Sequence, residues 1–188
     1  MPAGKRPRYI VGYRPGATLK RVLLDIGDRC TSQIHGAEAE LTTADGTVHL
    51  HVRERVHAQS MMHVVTLEFS LDIPCVPVSV GTVDIRHAGM FRRQALEWRV
   101  KQGACGDFQS LLMHVSSSDV LSQALMQLDF QRCQLHANAI GYQLKIEHYG
   151  ASEVVTRLPA LRRYIRLTPV QRNALLSVFV AFHRLLQV

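Results

Sequence analysis

The sequence predicts an α+β domain: an antiparallel β-meander of about five to seven strands with a helical insertion and a long C-terminal helix packed on the sheet. Three observations lead to this fold class. Apolar and polar residues alternate over residues 61–71, as in a strand with one buried face. A hairpin pattern surrounds Asp45-Gly46, and residues 168–171 have the spacing of a helix capping box. We expect the 61–71 segment to be the central strand.

The first 16 residues form a basic segment with three prolines and three glycines. This composition predicts a flexible arm in front of a single α+β domain over residues 17–188. We expect the arm to pack late in folding, through Tyr9, Ile10 and Tyr13.

No apolar signal-peptide core follows the basic residues of the arm, and no apolar tract approaches the roughly 20 residues of a membrane-spanning helix. The four cysteines are far apart, without a CxxC pair, as in reduced thiols. Together these features predict a cytoplasmic protein.

A short helix is predicted after the arm. Thr18 is its expected N-cap, and Gly27 is a natural stop at its C-terminus. The apolar stripe between them consists of Leu19, Val22, Leu23 and Ile26. A loop is expected to follow, through Cys30 and His35.

The clearest local pattern is the hairpin at Asp45-Gly46. A two-residue type I′ turn suits this pair, because both central positions of that turn need positive φ. With this turn, Leu41 faces Leu50 on an apolar side of the hairpin. On the other side Glu40 faces His51, so opposite charges are also in register.

The next turn is predicted at residues 57–60 and returns the chain to the central strand. In this register Val48, Leu50 and Val52 face Phe69, Leu67 and Val65 respectively. Residues 78–85 form the next strand, with a β-bulge at Gly81 that restores the apolar face. A fifth strand is predicted over residues 96–101.

The apolar spacing then becomes helical. Two short helices are predicted, and Ser118 or Asp119 caps the second. Two more strands follow, joined by a turn near residues 138–141. Residues 151–167 fit either a strand that closes the sheet or a helix that exposes its arginines. The final helix, to about Leu186, is apolar on most sides and should lie across the sheet.

The charge balance favours an anionic partner. Net charge is +7, with 18 arginines and 4 lysines, and such charge concentrates anions at the surface. Nucleic acid is a less expected partner, because no helix-turn-helix, RRM or KH signature is present.

The main candidate surface is an Arg-rich segment that consists of Arg157, Arg162, Arg163, Tyr164 and Arg166. Arginine suits bidentate contacts with carboxylates or phosphates. We therefore expect a non-enzymatic domain that binds an acidic protein or another anionic partner. The alternative is a solvated edge whose Arg stems cover apolar surface.

A carrier of an apolar ligand is the second hypothesis. A gap between a curved sheet and the last helix would be lined by Phe69, Trp98, Phe179 and Phe182. These residues fit an ordinary core equally well.

A metal-dependent enzyme is the third hypothesis. His49 and His51 project to one face of a strand, and Glu40 and Glu68 lie across from them in the predicted register. The alternative is a wet sheet face whose charges pair with one another. No HExxH, GxSxG or Gly-rich phosphate loop is present, so the sequence predicts neither a catalytic residue nor a cofactor.

Overall fold

The structure is a computed structural model that describes residues 12–75, 80–89, 95–103 and 106–187. Within these ranges the strands are β1 (Cys30–His35), β2 (Glu38–Thr43), β3 (His49–Ala58), β4 (Met62–Pro74), β5 (Gly81–Ala88), β6 (Ala95–Gln102), β7 (Phe130–Asn138), β8 (Gly141–Thr156) and β9 (Leu161–Ile165). The helices are α1 (Ala17–Ile26), α2 (Gly106–Ser116), α3 (Asp119–Gln127) and α4 (Pro169–Leu186).

The strands form one antiparallel sheet in the order β1-β2-β3-β4-β8-β7-β5-β6, and β9 pairs with β8. The α+β class is confirmed, with two strands more than the upper end of the prediction. One of them is β1, where a loop was expected. Five of its six residues are exposed, so it lacks the alternation of apolar and polar residues that marks a half-buried strand. The other is β9, within the ambiguous segment.

β4 is the central strand, as predicted. It pairs with β3 on one side and with β8 on the other. The chain leaves β4 to build β5 and β6 at the far edge of the sheet and returns through α2, α3 and β7. β8 then inserts between β4 and β7, so the centre of the sheet joins segments that are distant in sequence.

The β2–β3 hairpin has the predicted register but a different turn. Leu41 faces Leu50. Gly46 has a φ of 72° and donates its N–H to the Thr43 carbonyl at 2.8 Å, but Asp45 does not have positive φ. The Asp45 carboxylate instead accepts from the Thr43 hydroxyl at 2.6 Å and from the Thr47 N–H at 3.2 Å. These bonds, first that from Thr43, lower the pKa of Asp45 to about 2. The type I′ prediction was therefore wrong, because side-chain bonds of Asp45 stabilise a longer loop.

The β3–β4 register also differs from the prediction. Leu50 faces Leu71, not Leu67. The connecting turn lies later in the chain, where Gln59 donates its N–H to the Met62 carbonyl at 2.8 Å. The parity of the two strands is as predicted, so the apolar faces still meet, but every cross-strand partner changes.

The core lies between the apolar face of the sheet and the helices. One rung of the sheet crosses five strands through Ala39, Val52, Phe69, Ile146 and Cys133, each at most 2% exposed. α4 contributes Phe179 and Phe182, both fully buried. Burial of this continuous apolar surface is the main driving force for the fold.

The helix boundaries follow local signals, with one exception. Thr168 and Gln171 form the complete capping box of α4, and Ser118 caps α3, both as predicted. Thr18, however, is not the N-cap of α1. That position is Gly16. The amides of Gly16 and Leu19 donate to Glu54 of β3, at 2.8 Å and 2.9 Å respectively. A carboxylate from a distant strand thus replaces a local cap.

Two further predictions lie partly outside the described residues. Of the arm, Tyr9 and Ile10 fall outside, whereas the Tyr13 hydroxyl donates to Glu54 at 2.7 Å. Of the predicted strand over residues 78–85, residues 78–79 also fall outside. A bulge does occur in the pairing of β5 with β6, between Thr82 and Val83, but the extra residue is Lys101 of β6 and not Gly81. No helix in the described part of the chain is long and apolar enough to cross a membrane.

Candidate anion-binding sites

The predicted Arg-rich segment is extended. β8 continues to Thr156, a turn follows, and β9 returns antiparallel to it, with Arg163 opposite Val154 and Tyr164 opposite Glu153. The ambiguity over residues 151–167 is thus resolved in favour of a strand.

Three residues of the segment share the side of β9 that faces α1 and Glu153. Arg162 donates to Glu153 at 3.1 Å and also to the Gly12 carbonyl. Arg166 donates to Asp25 of α1 at 3.1 Å, and the Tyr164 hydroxyl donates to the same carboxylate at 2.7 Å. Burial and this bond to Asp25 raise the pKa of Tyr164. These contacts attach β9 to α1.

The remaining arginines face solvent on the same hairpin. Neither Arg157 nor Arg163 forms an ion pair with a described residue, and both are exposed. Exposed apolar residues lie beside them: Leu158 is 76% exposed, Leu161 55% and Ile165 40%. We call these five residues the hairpin surface. Within the described residues β9 pairs only with β8, so its other edge is open.

The residues of the predicted apolar pocket are packed as core. Phe69, Phe179 and Phe182 are at most 1% exposed, and Trp98 packs against the core with its ring centroid 6.5 Å from that of Phe182.

The predicted metal ligands do not come together. His49 contacts Thr42 at 3.0 Å, and His51 lies 3.4 Å from Glu38. Because of the changed register, Glu68 faces Arg53 and not the two histidines. Across the described ranges no group of three or more His, Cys, Asp or Glu side chains could hold a metal ion.

The polar face of the sheet contains a charged row that the sequence interpretation missed. One rung runs Arg53, Glu68, Glu147, Arg132 across β3, β4, β8 and β7. The two glutamates are directly opposite each other, and each is only 2% exposed. This face was expected to be wet, yet its central carboxylates are buried. Buried carboxylates require compensating partners.

Glu68 is compensated by two arginines of β3. Arg53 donates through Nε to one oxygen at 2.7 Å, and Arg55 donates through Nε and Nη2 to the other at 3.1 Å. Burial alone would raise the pKa of Glu68, but the hydrogen bonds and charges of the two guanidinium groups outweigh it, so the pKa is lowered.

Glu147 is compensated differently. Its Oε1 accepts a bond from the Thr66 hydroxyl at 2.5 Å and lies 2.5 Å from Nε2 of His57. The His57 side chain remains 41% exposed. It opens into a cleft of about 380 Å³ that is also lined by Glu54, Arg55, Val56, Arg132 and Glu147. A buried carboxylate that orients an accessible imidazole makes the imidazole a defined donor or acceptor toward a ligand.

A family model described as "Protein of unknown function (DUF3156)" matches residues 28–186. The chain therefore belongs to DUF3156. Comparison with curated proteins and with solved structures finds no match. The residues of both candidate sites lie inside the DUF3156 match, whereas α1, which braces β9 through Asp25, precedes it.

The polar face of this DUF3156 domain continues toward β5. Asp84 is 7% exposed and accepts from Gln134 at 2.7 Å and from Arg86 at 3.1 Å. These bonds, first that from Gln134, lower its pKa. The alternation of residues along β3 and β4 identifies this face, but Glu147, which lies opposite Glu68, is on β8, and no local pattern predicts that strand pairing.

Proposed function

We propose that this DUF3156 protein is a non-enzymatic binding domain that contacts an acidic protein through the hairpin surface. The observation that carries the proposal is the division of the predicted arginine cluster. Arg162 and Arg166 form ion pairs with Glu153 and Asp25, whereas Arg157 and Arg163 form none with a described residue. One side of the hairpin is thus attached to α1, and the other side is basic.

A protein partner fits this surface better than a small anion. Arg163 lies between Leu161 and Ile165 on one side of β9, so an apolar, basic, apolar pattern faces outward. The edge of β9 away from β8 pairs with no described strand, so its backbone donors and acceptors can receive an added strand. An extended segment with acidic residues between apolar ones matches both features, by addition of a strand to the sheet.

The two alternative functions receive less support. The four aromatic residues of the proposed carrier are packed as core, and Glu68, the carboxylate of the proposed metal set, is occupied by two arginines.

The test uses a fluorescein-labelled octapeptide of alternating Val and Glu, with a Val-Lys peptide for comparison, and fluorescence anisotropy at low and high salt. We expect the acidic peptide alone to bind, and more weakly at high salt because exposed charges are screened. The double variant Arg157→Ser, Arg163→Ser should bind about fivefold more weakly, as expected for two exposed ion pairs.

The matched control is Arg29→Ser, Arg184→Ser, which removes the same charge from two exposed positions away from the hairpin. Equal weakening by both double variants would mean that only net charge matters, and the hairpin surface would be rejected.

A further inference from the structure

We propose that the cleft on the polar face is a second site, which binds the phosphate group of a small molecule through Arg55, His57 and Arg132. The cleft has a volume of about 380 Å³ and shares no residue with the hairpin surface. This size is in the range of small-ligand sites. The inference is independent of the proposed protein partner, because its residues lie on β3 and β7, not on β9.

The charges around the cleft are not balanced. Arg53 and Arg132 face the two buried glutamates of the rung in register, and Arg55 also binds Glu68. Glu54 lines the cleft as well, but its carboxylate is bonded to the amides of Gly16 and Leu19. Arg53 and Arg55 both bind Glu68, so one carboxylate compensates two cations. Arg132 faces Glu147 in register but is exposed and forms no ion pair with a described residue. An anion in the cleft would compensate this excess positive charge.

Donor groups remain available at the cleft. Arg55 uses Nε and Nη2 on Glu68, and its Nη1 makes no hydrogen bond to a described residue. The guanidinium of Arg132 likewise makes no hydrogen bond to a described residue. Arginine pairs with phosphate oxygens through parallel N–H bonds, so two partly free guanidinium groups at one cleft favour an oxyanion.

His57 adds a third polar group with a fixed orientation. Its Nε2 is held by Glu147 and Thr66, so Nδ1 is the nitrogen left for a ligand. With Nε2 donating its N–H to Glu147, Nδ1 accepts, and the hydroxyl of monohydrogen phosphate can donate to it. Two guanidinium groups and this imidazole suit a phosphate dianion, which carries a hydroxyl, better than a carboxylate, whose single charge is already compensated by one guanidinium.

The probe is inorganic phosphate, titrated by calorimetry at pH 7 and constant ionic strength, with acetate as the comparison anion. We expect saturable phosphate binding with a Kd on the order of 1 mM and at least a tenfold preference over acetate. Arg132→Gln should weaken phosphate binding about tenfold or more, since a charged hydrogen bond is lost. Arg132 is exposed, so its variant should keep the wild-type urea midpoint.

The control variant is Arg99→Gln, an exposed arginine on β6 that pairs with Glu97. It should bind phosphate as the wild type does, and so should the Arg157→Ser, Arg163→Ser variant of the hairpin surface. The proposal is overturned by the absence of saturable binding up to about 50 mM phosphate, a concentration well above the expected Kd. Equal affinity for acetate, or equal weakening by Arg99→Gln, would overturn it as well.

Discussion

At the scale of single residues, His63 combines burial with an unsatisfied polar atom. It is 3% exposed, and its Nε2 has no hydrogen-bond partner within the described residues. Burial lowers the pKa of His63 below its usual 6.5, Arg162 and Arg157 lower it further, and Glu153 opposes them in part. The unfolded chain then binds the proton more readily than the folded one. His63 therefore leaves stability intact above about pH 6.5 and reduces it as the pH falls below that value.

We expect His63→Phe to remove this dependence, because a neutral ring of similar shape has no proton to gain. The free energy of unfolding in urea, measured at pH 7.5 and pH 5.5, should fall less for this variant than for the wild type. His35→Phe changes an exposed histidine on β1 and should keep the wild-type difference. If His63→Phe retained the whole pH effect, the buried imidazole would not be its source.

At the scale of elements, α1 is held in place by carboxylates. Glu54 of β3 caps its N-terminus, Glu153 of β8 binds Arg21 at 2.8 Å, and Asp25 binds β9. Tertiary contacts, more than its short apolar stripe, therefore decide where this ten-residue helix lies.

Glu54→Ala should destabilise the protein by about 2 kcal/mol, because two helix amides and the Tyr13 hydroxyl lose a charged acceptor. Hydrogen exchange should also become faster in the first turn of α1, including the Leu19 amide. Glu40→Ala removes an exposed carboxylate from β2 and should affect neither measurement. Unchanged exchange at Leu19 in Glu54→Ala would contradict the capping role.

At the scale of the whole molecule, the sheet has one apolar and one polar face, and the central residues of both faces are buried. Its polar face buries Glu68, Glu147 and Asp84, each at most 7% exposed. The pKa values of Glu68 and Asp84 are lowered by their hydrogen-bonded partners, as described above. Such groups stabilise the fold above their unfolded pKa values, near 4, and this contribution is lost as the pH falls through the folded values.

Glu68→Gln should therefore reduce the stability lost between pH 7 and pH 3. At pH 7 the same variant should be less stable than the wild type by about 2 kcal/mol, because Arg53 and Arg55 lose their anion. Urea unfolding at the two pH values measures both effects. Glu38→Gln, at an exposed position on β2, provides the control. A parallel loss of stability in wild type and Glu68→Gln would show that other carboxylates cause the acid sensitivity.

Predictions from the sequence were correct where the residues that determine a structural feature lie within one short segment. The capping box at Thr168 and the β2–β3 register needed only neighbouring residues. The prediction of a type I′ turn was wrong even though a turn is a local feature, because the Asp45 carboxylate stabilises another loop. The β3–β4 register failed because a strand repeats every two residues, so several registers keep the same apolar face.

The sequence by itself determined the α+β class, the central strand, the limits of the last helix and the presence of an Arg-rich segment. These follow from side-chain periodicity and capping, which act over a few residues. Only the tertiary structure decided that β8 lies beside β4, that Glu54 caps α1, and which arginines of the segment form ion pairs. The reason is physical: burial and ion pairing depend on which distant strands become neighbours, and alternation along one strand carries no information about its partner.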